Sequence, residues 1–264
     1  MTQTTYAIGD VHGRADLLER LLTAIADEAA DAGAEPRVIF IGDIVSHGPD
    51  SRLALDLVGQ ALGEWPESRL ILGNHEEYLL RFANGEHCGA GSAGGALEGQ
   101  WSRDDRAKTF RSYGLDPNRS LAALAGKFRQ RFPDHVALLR RASSIIIDPR
   151  FVFVHAGVDP DVPMEEQDAR TTRWIRKGFL DCDHRLSHMV VHGHTKTDSA
   201  RPEITPCRVA LDTGAFATGR LTCLIVPPPG SGLRFLATRQ TARRIAVEEI
   251  KPVYLGCKSA ALSA

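Results

Sequence analysis

Six residues stand where side chains could hold cations: Asp10, His12, Asp43, Asn74, His155 and His194. Each lies in a glycine-containing turn directly after an apolar run, as in Gly9-Asp10-Val11-His12-Gly13 and Gly42-Asp43. Carboxylates and imidazoles together suit Mn, Fe, Zn and related ions better than calcium. Two cations about 3.5–4 Å apart, bridged by a carboxylate, can clamp both ends of a phosphoryl displacement. Taken singly the signals are weak, because Gly-Asp after a strand is usually a turn and Asn74 could simply cap a helix. Their concentration carries more weight. Of the 10 histidines, His12, His47, His75, His155, His192 and His194 all fall in turns at strand ends.

The elements that must position these residues can be read from periodicity. Short apolar runs at Thr5–Ile8, Val38–Ile41 and Arg69–Leu72 predict strands. Between them, Leu17, Leu18, Leu21, Leu22 and Ile25 recur at helical spacing, and Leu53 to Leu62 reads as a second helix. Strand–helix alternation predicts parallel strands joined by crossover helices, with functional groups at the carboxyl ends of the strands. Glu86 to Gly99 reads as a loop rich in Gly and Ala. Helices are expected at 103–112 and 121–131, so that about 85–142 forms a loop and helical cap on the sheet. Strands are expected to resume at 144–147, 151–154 and 189–191, with a helix near 168–180 and a strand-rich final third. No repeat or linker is evident, and a single domain over 1–264 is expected.

Composition bounds the function. With 264 residues, 43% hydrophobic and 25% charged, the chain has length enough for a sizeable core. A formal net charge of -1 argues against nucleic-acid binding. Five scattered cysteines form no C-x-x-C pair, so reduced thiols in a reducing compartment are expected. A strand starting at Thr5 and the lack of any apolar run near ~20 residues point to a cytoplasmic protein without a membrane anchor.

The ordered set Gly9-Asp10-Val11-His12-Gly13, Gly42-Asp43-Ile44-Val45-Ser46-His47-Gly48, Gly73-Asn74-His75-Glu76, His155-Ala156-Gly157 and Gly193-His194-Thr195 resembles that of calcineurin-like metallophosphoesterases. Within them it is most similar to bacterial and phage serine/threonine phosphoprotein phosphatases and to diadenosine tetraphosphatases. The resemblance implies an α/β fold, a four-layer α/β/β/α sandwich of two mixed sheets. It implies two divalent cations, Mn²⁺ foremost and Fe or Zn as alternatives. Asp10 and His12 would bind the first, Asp43 would bridge, and Asn74, His155 and His194 would complete the second. Water between the cations would become the nucleophile, and His75 would protonate the leaving group. Arg176, in Trp174-Ile175-Arg176, would grip phosphate, with Arg173 as the alternative. Lys196 replaces a further His ligand of the wider superfamily, which leaves His192 as a supporting residue.

The second motif departs from the family pattern Gly-Asp-x-x-Asp-Arg-Gly. Ser46 stands for the Asp that orients the catalytic His, and His47 for the Arg that grips phosphate. Ser46 can hydrogen-bond His75 but adds no charge, and His47 can contact phosphate although only partly protonated at pH 7. The leading expectation is phosphomonoester hydrolysis of the serine/threonine phosphatase type, on a phosphoprotein or a small phosphate ester. It rests on Gly73-Asn74-His75-Glu76, where tetraphosphatases more often end in Asp, and on Ala93-Gly94-Gly95 with Ser112-Tyr113-Gly114. The alternatives are dinucleoside-polyphosphate hydrolysis and a degenerate, non-catalytic phosphate binder; tetraphosphatases also lack the acid at Ser46 but keep the Arg, so Ser46 does not discriminate and His47 stays unexplained.

Overall fold

In the computed structural model, which describes residues 3–86 and 101–256, the alternation of the first third builds parallel strands. β1 (Thr5–Ile8) and β2 (Arg37–Phe40) pair in parallel, with Thr5 opposite Arg37, and β2 pairs in parallel with β3 (Arg69–Leu70). The crossovers are α1 (Ala15–Asp31) and α2 (Ser51–Glu64). Helix α1 buries the predicted face of Leu17, Leu18, Leu21, Leu22 and Ile25 and is followed by Gly33 in the left-handed region. Asp50 starts α2 by accepting the Leu53 N–H at 2.9 Å.

Two six-stranded mixed sheets result. The first runs β11-β10-β9-β1-β2-β3, with β9 (Thr222–Val226), β10 (Arg234–Gln240) and β11 (Ile245–Glu249) antiparallel. The second runs β12-β7-β8-β6-β5-β4. It contains β4 (Ile145–Ile147), β5 (Phe151–Val154), β6 (Met189–His192), β7 (Glu203–Ile204), β8 (Arg208–Ala210) and β12 (Val253–Tyr254). Strands β5, β6 and β8 are parallel neighbours, like β1–β3.

Side-chain alternation along each strand sorts residues into layers. Ala7, Ile39, Ile41, Phe151, Phe153 and Val191 meet between the sheets, whereas Tyr6, Ile8, Val38 and Phe40 face the helical layer. On the far side Val152, Val154 and Val190 pack under Val158, Met164 and Phe179. That outer layer is thin. The helix expected near 168–180 is only α7 (Ala169–Trp174), because Ile175 turns extended, with φ -60° and ψ 142°.

The inserted segment is less detached than a cap. Helices α4 (Arg103–Ser112) and α5 (Leu121–Arg131) lie where periodicity puts them, followed by an unforeseen α6 (Pro133–Arg140) that starts on a proline. Phe110 and Phe128 pack on Phe82 of α3 (Asn74–Asn84), at 4.7 and 5.8 Å between ring centres. The insert therefore shares the core of the helical layer, which lets it reach the strand ends. Apart from Glu86, the Glu86 to Gly99 loop, with Ala93-Gly94-Gly95, lies outside the described residues.

Candidate active site

The loops after β1, β2, β3, β5 and β6 converge at one end of the sandwich, and the backbone there is unusual. His12, Asp43, Ser46, His47 and His194 all have positive φ, between 47° and 74°. Side chains rarely adopt that conformation without surrounding structure to hold it, and it clusters at functional sites. Glu76, fully buried at the start of α3, is one of the restraints. Its carboxylate accepts four backbone N–H bonds, from Asp43, Ile44, Val45 and Gly73, at 2.7–3.0 Å. Burial and the neighbouring Asp43 push its pKa up to about 7, against the pull of those N–H groups. Two glycines are dictated by close approach. A Cβ at Gly193 would lie 1.8 Å from Asp10 Oδ1, and one at Gly73 would lie 2.3 Å from Asp43 Oδ1.

All six expected donor residues come together. Asp43 lies at the centre, with Oδ2 3.6 Å from His12 Nε2 and Oδ1 3.4 Å from His155 Nε2. Asn74 Oδ1 lies 3.0 Å from the same His155 nitrogen. Donor atoms of Asp10, His12 and Asp43 lie within 4.8 Å of one another, as do those of Asp43, His155 and His194. The rings are held from behind: His12 Nδ1 meets the Val45 carbonyl at 3.0 Å, and His155 Nδ1 meets that of Ile41 at 2.9 Å. With Nδ1–H donated to a carbonyl, each Nε2 presents its lone pair to the site.

These residues fit divalent cations on physical grounds. Asp10 Oδ1 and His194 Nε2 are buried without a partner among the described residues. At His155 three acceptor atoms converge, so a proton or a cation must lie among them. Burial alone would lower the His155 pKa, but Asp43 outweighs it and the pKa is raised. Burial, Asp212 and Asp43 hold the Asp10 carboxyl well above the usual range. For Asp43, burial works upward but is overcome by His155, His75 and His12, which hold it well below that range. Burial keeps His12 and His194 neutral, each near a pKa of about 3, ready to ligate.

The remaining expected residues fall in different places. His75 is half-buried beside His12, ring centres 5.0 Å apart, and its backbone N–H donates to Asp43 Oδ1 at 3.0 Å. Its Nδ1 has no partner among the described residues. Ser46 does not provide one, and its hydroxyl accepts the Trp101 indole N–H at 3.0 Å. His47 Nδ1 meets Asp105 Oδ1 at 2.7 Å, and its ring stacks on Phe216 at 4.6 Å. His192 is wholly buried against the Gly193 carbonyl and Phe179, away from the donor set. Arg173 is tied to Glu77 at 2.6 Å, whereas Arg176 is exposed and its charge bears on His194.

Sequence reasoning missed four contributors. Trp101 and Asp105 come from the insert, Glu76 acts through backbone, and Asp212 lies close enough for its charge to act on Asp10. Burial raises the Asp212 carboxyl to about 6. Asp212 carried a usable signal, because Asp212-Thr213-Gly214 follows an apolar strand as the other motifs do.

Comparison with known proteins agrees with this geometry. The family model for calcineurin-like phosphoesterases matches residues 4–203. The symmetrical bis(5'-nucleosyl)-tetraphosphatase of Janthinobacterium sp. (strain Marseille) is 44% identical over 84% of this chain and 92% of its own. That of Dechloromonas aromatica is 45% identical over a stretch covering 31% of this chain and 27% of its own. A crystal structure described as a candidate diadenosine tetraphosphatase superposes with a TM-score of 0.61 at 21% identity, covering 90% of this chain and 94% of that one. A cold-active protein-tyrosine phosphatase from a psychrophilic Shewanella gives 0.54 at 16% identity, covering 95% and 81%. At such identities the structural likenesses speak for the fold alone. The full-length relatives favour the dinucleoside-polyphosphate alternative over the phosphoprotein reading put first from sequence. On its matched length, its ordered motifs and its convergent donor set, the chain belongs to the calcineurin-like phosphoesterase family and is a metal-dependent phosphoric ester hydrolase.

Proposed function

We propose that this chain hydrolyses dinucleoside polyphosphates, cutting diadenosine tetraphosphate at its central bridge to give two molecules of ADP. The observation that carries this reading is the 44% identity to a symmetrical tetraphosphatase over 92% of that protein's length. Asp10, His12 and Asp43 would hold one cation, and Asp43, Asn74, His155 and His194 the other. Mn²⁺ suits these mixed oxygen and nitrogen donors. When bound, the two ions supply Lewis acidity that neutralises phosphoryl charge and eases ionisation of water. Arg176 would orient the polyphosphate, and His75 would give its proton to the departing oxygen.

Two local features support an anhydride over an alkyl ester. Among the described residues no carboxylate meets the His75 Nδ1, and Ser46 stands for the family's Asp. A nucleoside diphosphate is a much weaker base than a serine alkoxide and departs with less help from an acid. The cues for phosphoprotein also lose force. Glu76 faces backbone N–H groups, not substrate, and Tyr113 is buried with its hydroxyl 2.9 Å from His135 Nδ1.

Purified protein supplied with Mn²⁺ is expected to convert diadenosine tetraphosphate to ADP alone, far faster than it releases phosphate from phosphopeptides. Ready phosphopeptide turnover with the dinucleotide left intact would overturn the reading. Arg176→Ala should lower kcat/KM for the dinucleotide ~10–100-fold, as expected for one charge-assisted contact. Arg173→Ala should lower the melting temperature instead, because it takes the cation from Glu77 and leaves its carboxylate only the Trp174 indole N–H among the described residues.

A further inference from the structure

His47 has work that its position in the motif does not explain. Its ring is fixed on three sides: Asp105 Oδ1 lies 2.7 Å from Nδ1, Phe216 stacks at 4.6 Å, and His12 meets it edge-on at 4.5 Å. Asp105 is itself anchored by the Ser102 hydroxyl at 2.5 Å. The backbone of His47 is held at φ 59°, and Trp101 pins its neighbour Ser46. One ring nitrogen each of His12, His47 and His75 lies within 4.8 Å of the others. Two ligands of one ion, each ~2.0–2.2 Å from it, lie no more than ~4.4 Å apart. His47 is thus close to ligand spacing from a residue that also groups with Asp10 and Asp43.

We propose that His47 is a further ligand of the cation held by Asp10, His12 and Asp43, with Asp105 as the positioning residue that orients its ring. A carboxylate only accepts hydrogen bonds, so Asp105 holds a ring proton on Nδ1 and Nε2 is the nitrogen whose lone pair a cation would take. Carboxylate behind imidazole is the common arrangement behind metal-bound histidine. Phosphate oxygens also only accept, so Nε2 in this tautomer has nothing to offer them. The Arg that occupies this position in the family pattern can grip phosphate but cannot ligate. The substitution therefore moves the position from substrate to metal. It also makes the first site richer in nitrogen, which favours ions such as Co²⁺ and Zn²⁺ over Mg²⁺.

This inference rests on the two-cation centre above, and its test reads metal binding without substrate. Chelator-stripped protein is titrated with Co²⁺, followed by calorimetry and by visible absorption of the bound ion. The wild type should take up two ions. His47→Ala and His47→Arg should weaken one of them ~10–100-fold and alter its absorption spectrum, and Asp105→Asn should weaken the same ion ~10-fold. Circular dichroism establishes that each variant is folded. Unchanged affinity and spectrum in folded His47→Ala, or no Co²⁺ uptake by the wild type, would overturn the proposal. Normal Co²⁺ binding with no cleavage of diadenosine tetraphosphate would sink the substrate reading and leave this one standing.

Discussion

Asp43→Asn is expected to lower turnover of any phosphate substrate ~10²–10⁴-fold and to reduce bound cations below two per chain, while leaving the fold intact. Both carboxylate oxygens are committed: Oδ2 faces His12 and Oδ1 faces His155, at 3.6 and 3.4 Å. An amide of the same shape keeps one oxygen and turns two N–H groups toward one of the cation positions. It also removes the negative charge that His155, His75 and His12 stabilise in the folded chain. Weakening the bridge removes the cations' stabilisation of transition-state charge, worth about 3–5 kcal/mol. Each 1.36 kcal/mol is tenfold in rate, so a loss of ~10²–10⁴ in kcat/KM is the expected scale. Metal content by elemental analysis and ADP release from diadenosine tetraphosphate check the two halves. A variant that binds two cations and turns over within tenfold of wild type would remove Asp43 from the bridge. The fold should survive, because Asp43→Asn keeps the volume and the bond from the His75 backbone N–H to Oδ1.

Asp43 also shows why so much of this site is legible in the sequence. Its loop is local: an apolar strand delivers it, and glycines beside it permit the tight approach, so residue type and position can be read together. The same holds for Asp10, Asn74, His155 and His194. Their mutual placement follows from parallel strands ending at one edge, which alternation of strands and helices predicts. What could not be read depends on partners far along the chain. The Trp101 to Ser46 bond spans 55 residues, and the Arg173 to Glu77 pair spans 96. Neither Trp101 nor Asp105 carries a motif, and their role appears only when α4 packs on the helical layer. The preference between substrates put first from sequence rests on a cue of the same kind. That cue is Glu76 in place of the Asp more frequent in tetraphosphatases. Its carboxylate points back into the loop that carries Asp43.

That orientation makes Glu76→Gln the second large expected effect. Oε1 accepts from Ile44 and Val45, and Oε2 from Asp43 and Gly73, at 2.7–3.0 Å. Glutamine offers one acceptor oxygen, so whichever way its amide turns, two backbone N–H groups meet an NH₂ group. A buried donor left without a partner costs about 1–3 kcal/mol, which puts the loss near ~2–6 kcal/mol for the pair. Some of that is offset, because the amide carries no buried charge, and burial already disfavours the ionised Glu76. A fall in melting temperature on the order of 5–15 °C follows, at ~2–4 °C per kcal/mol for a chain of this size. The functional effect should exceed the stability effect. Asp43 sits at φ 49°, a conformation side chains rarely adopt without support, and the Glu76 bond to its N–H is one of the contacts that hold it there. Whether that bond is lost or those to the adjoining Ile44 and Val45, the loop loosens and Asp43 relaxes away from His12 and His155. Cation affinity measured well below the melting temperature should therefore fall in Glu76→Gln, although Glu76 touches no cation position itself. Lower thermal stability with unchanged Co²⁺ affinity would mean that other contacts hold the loop and that Glu76 serves the fold alone.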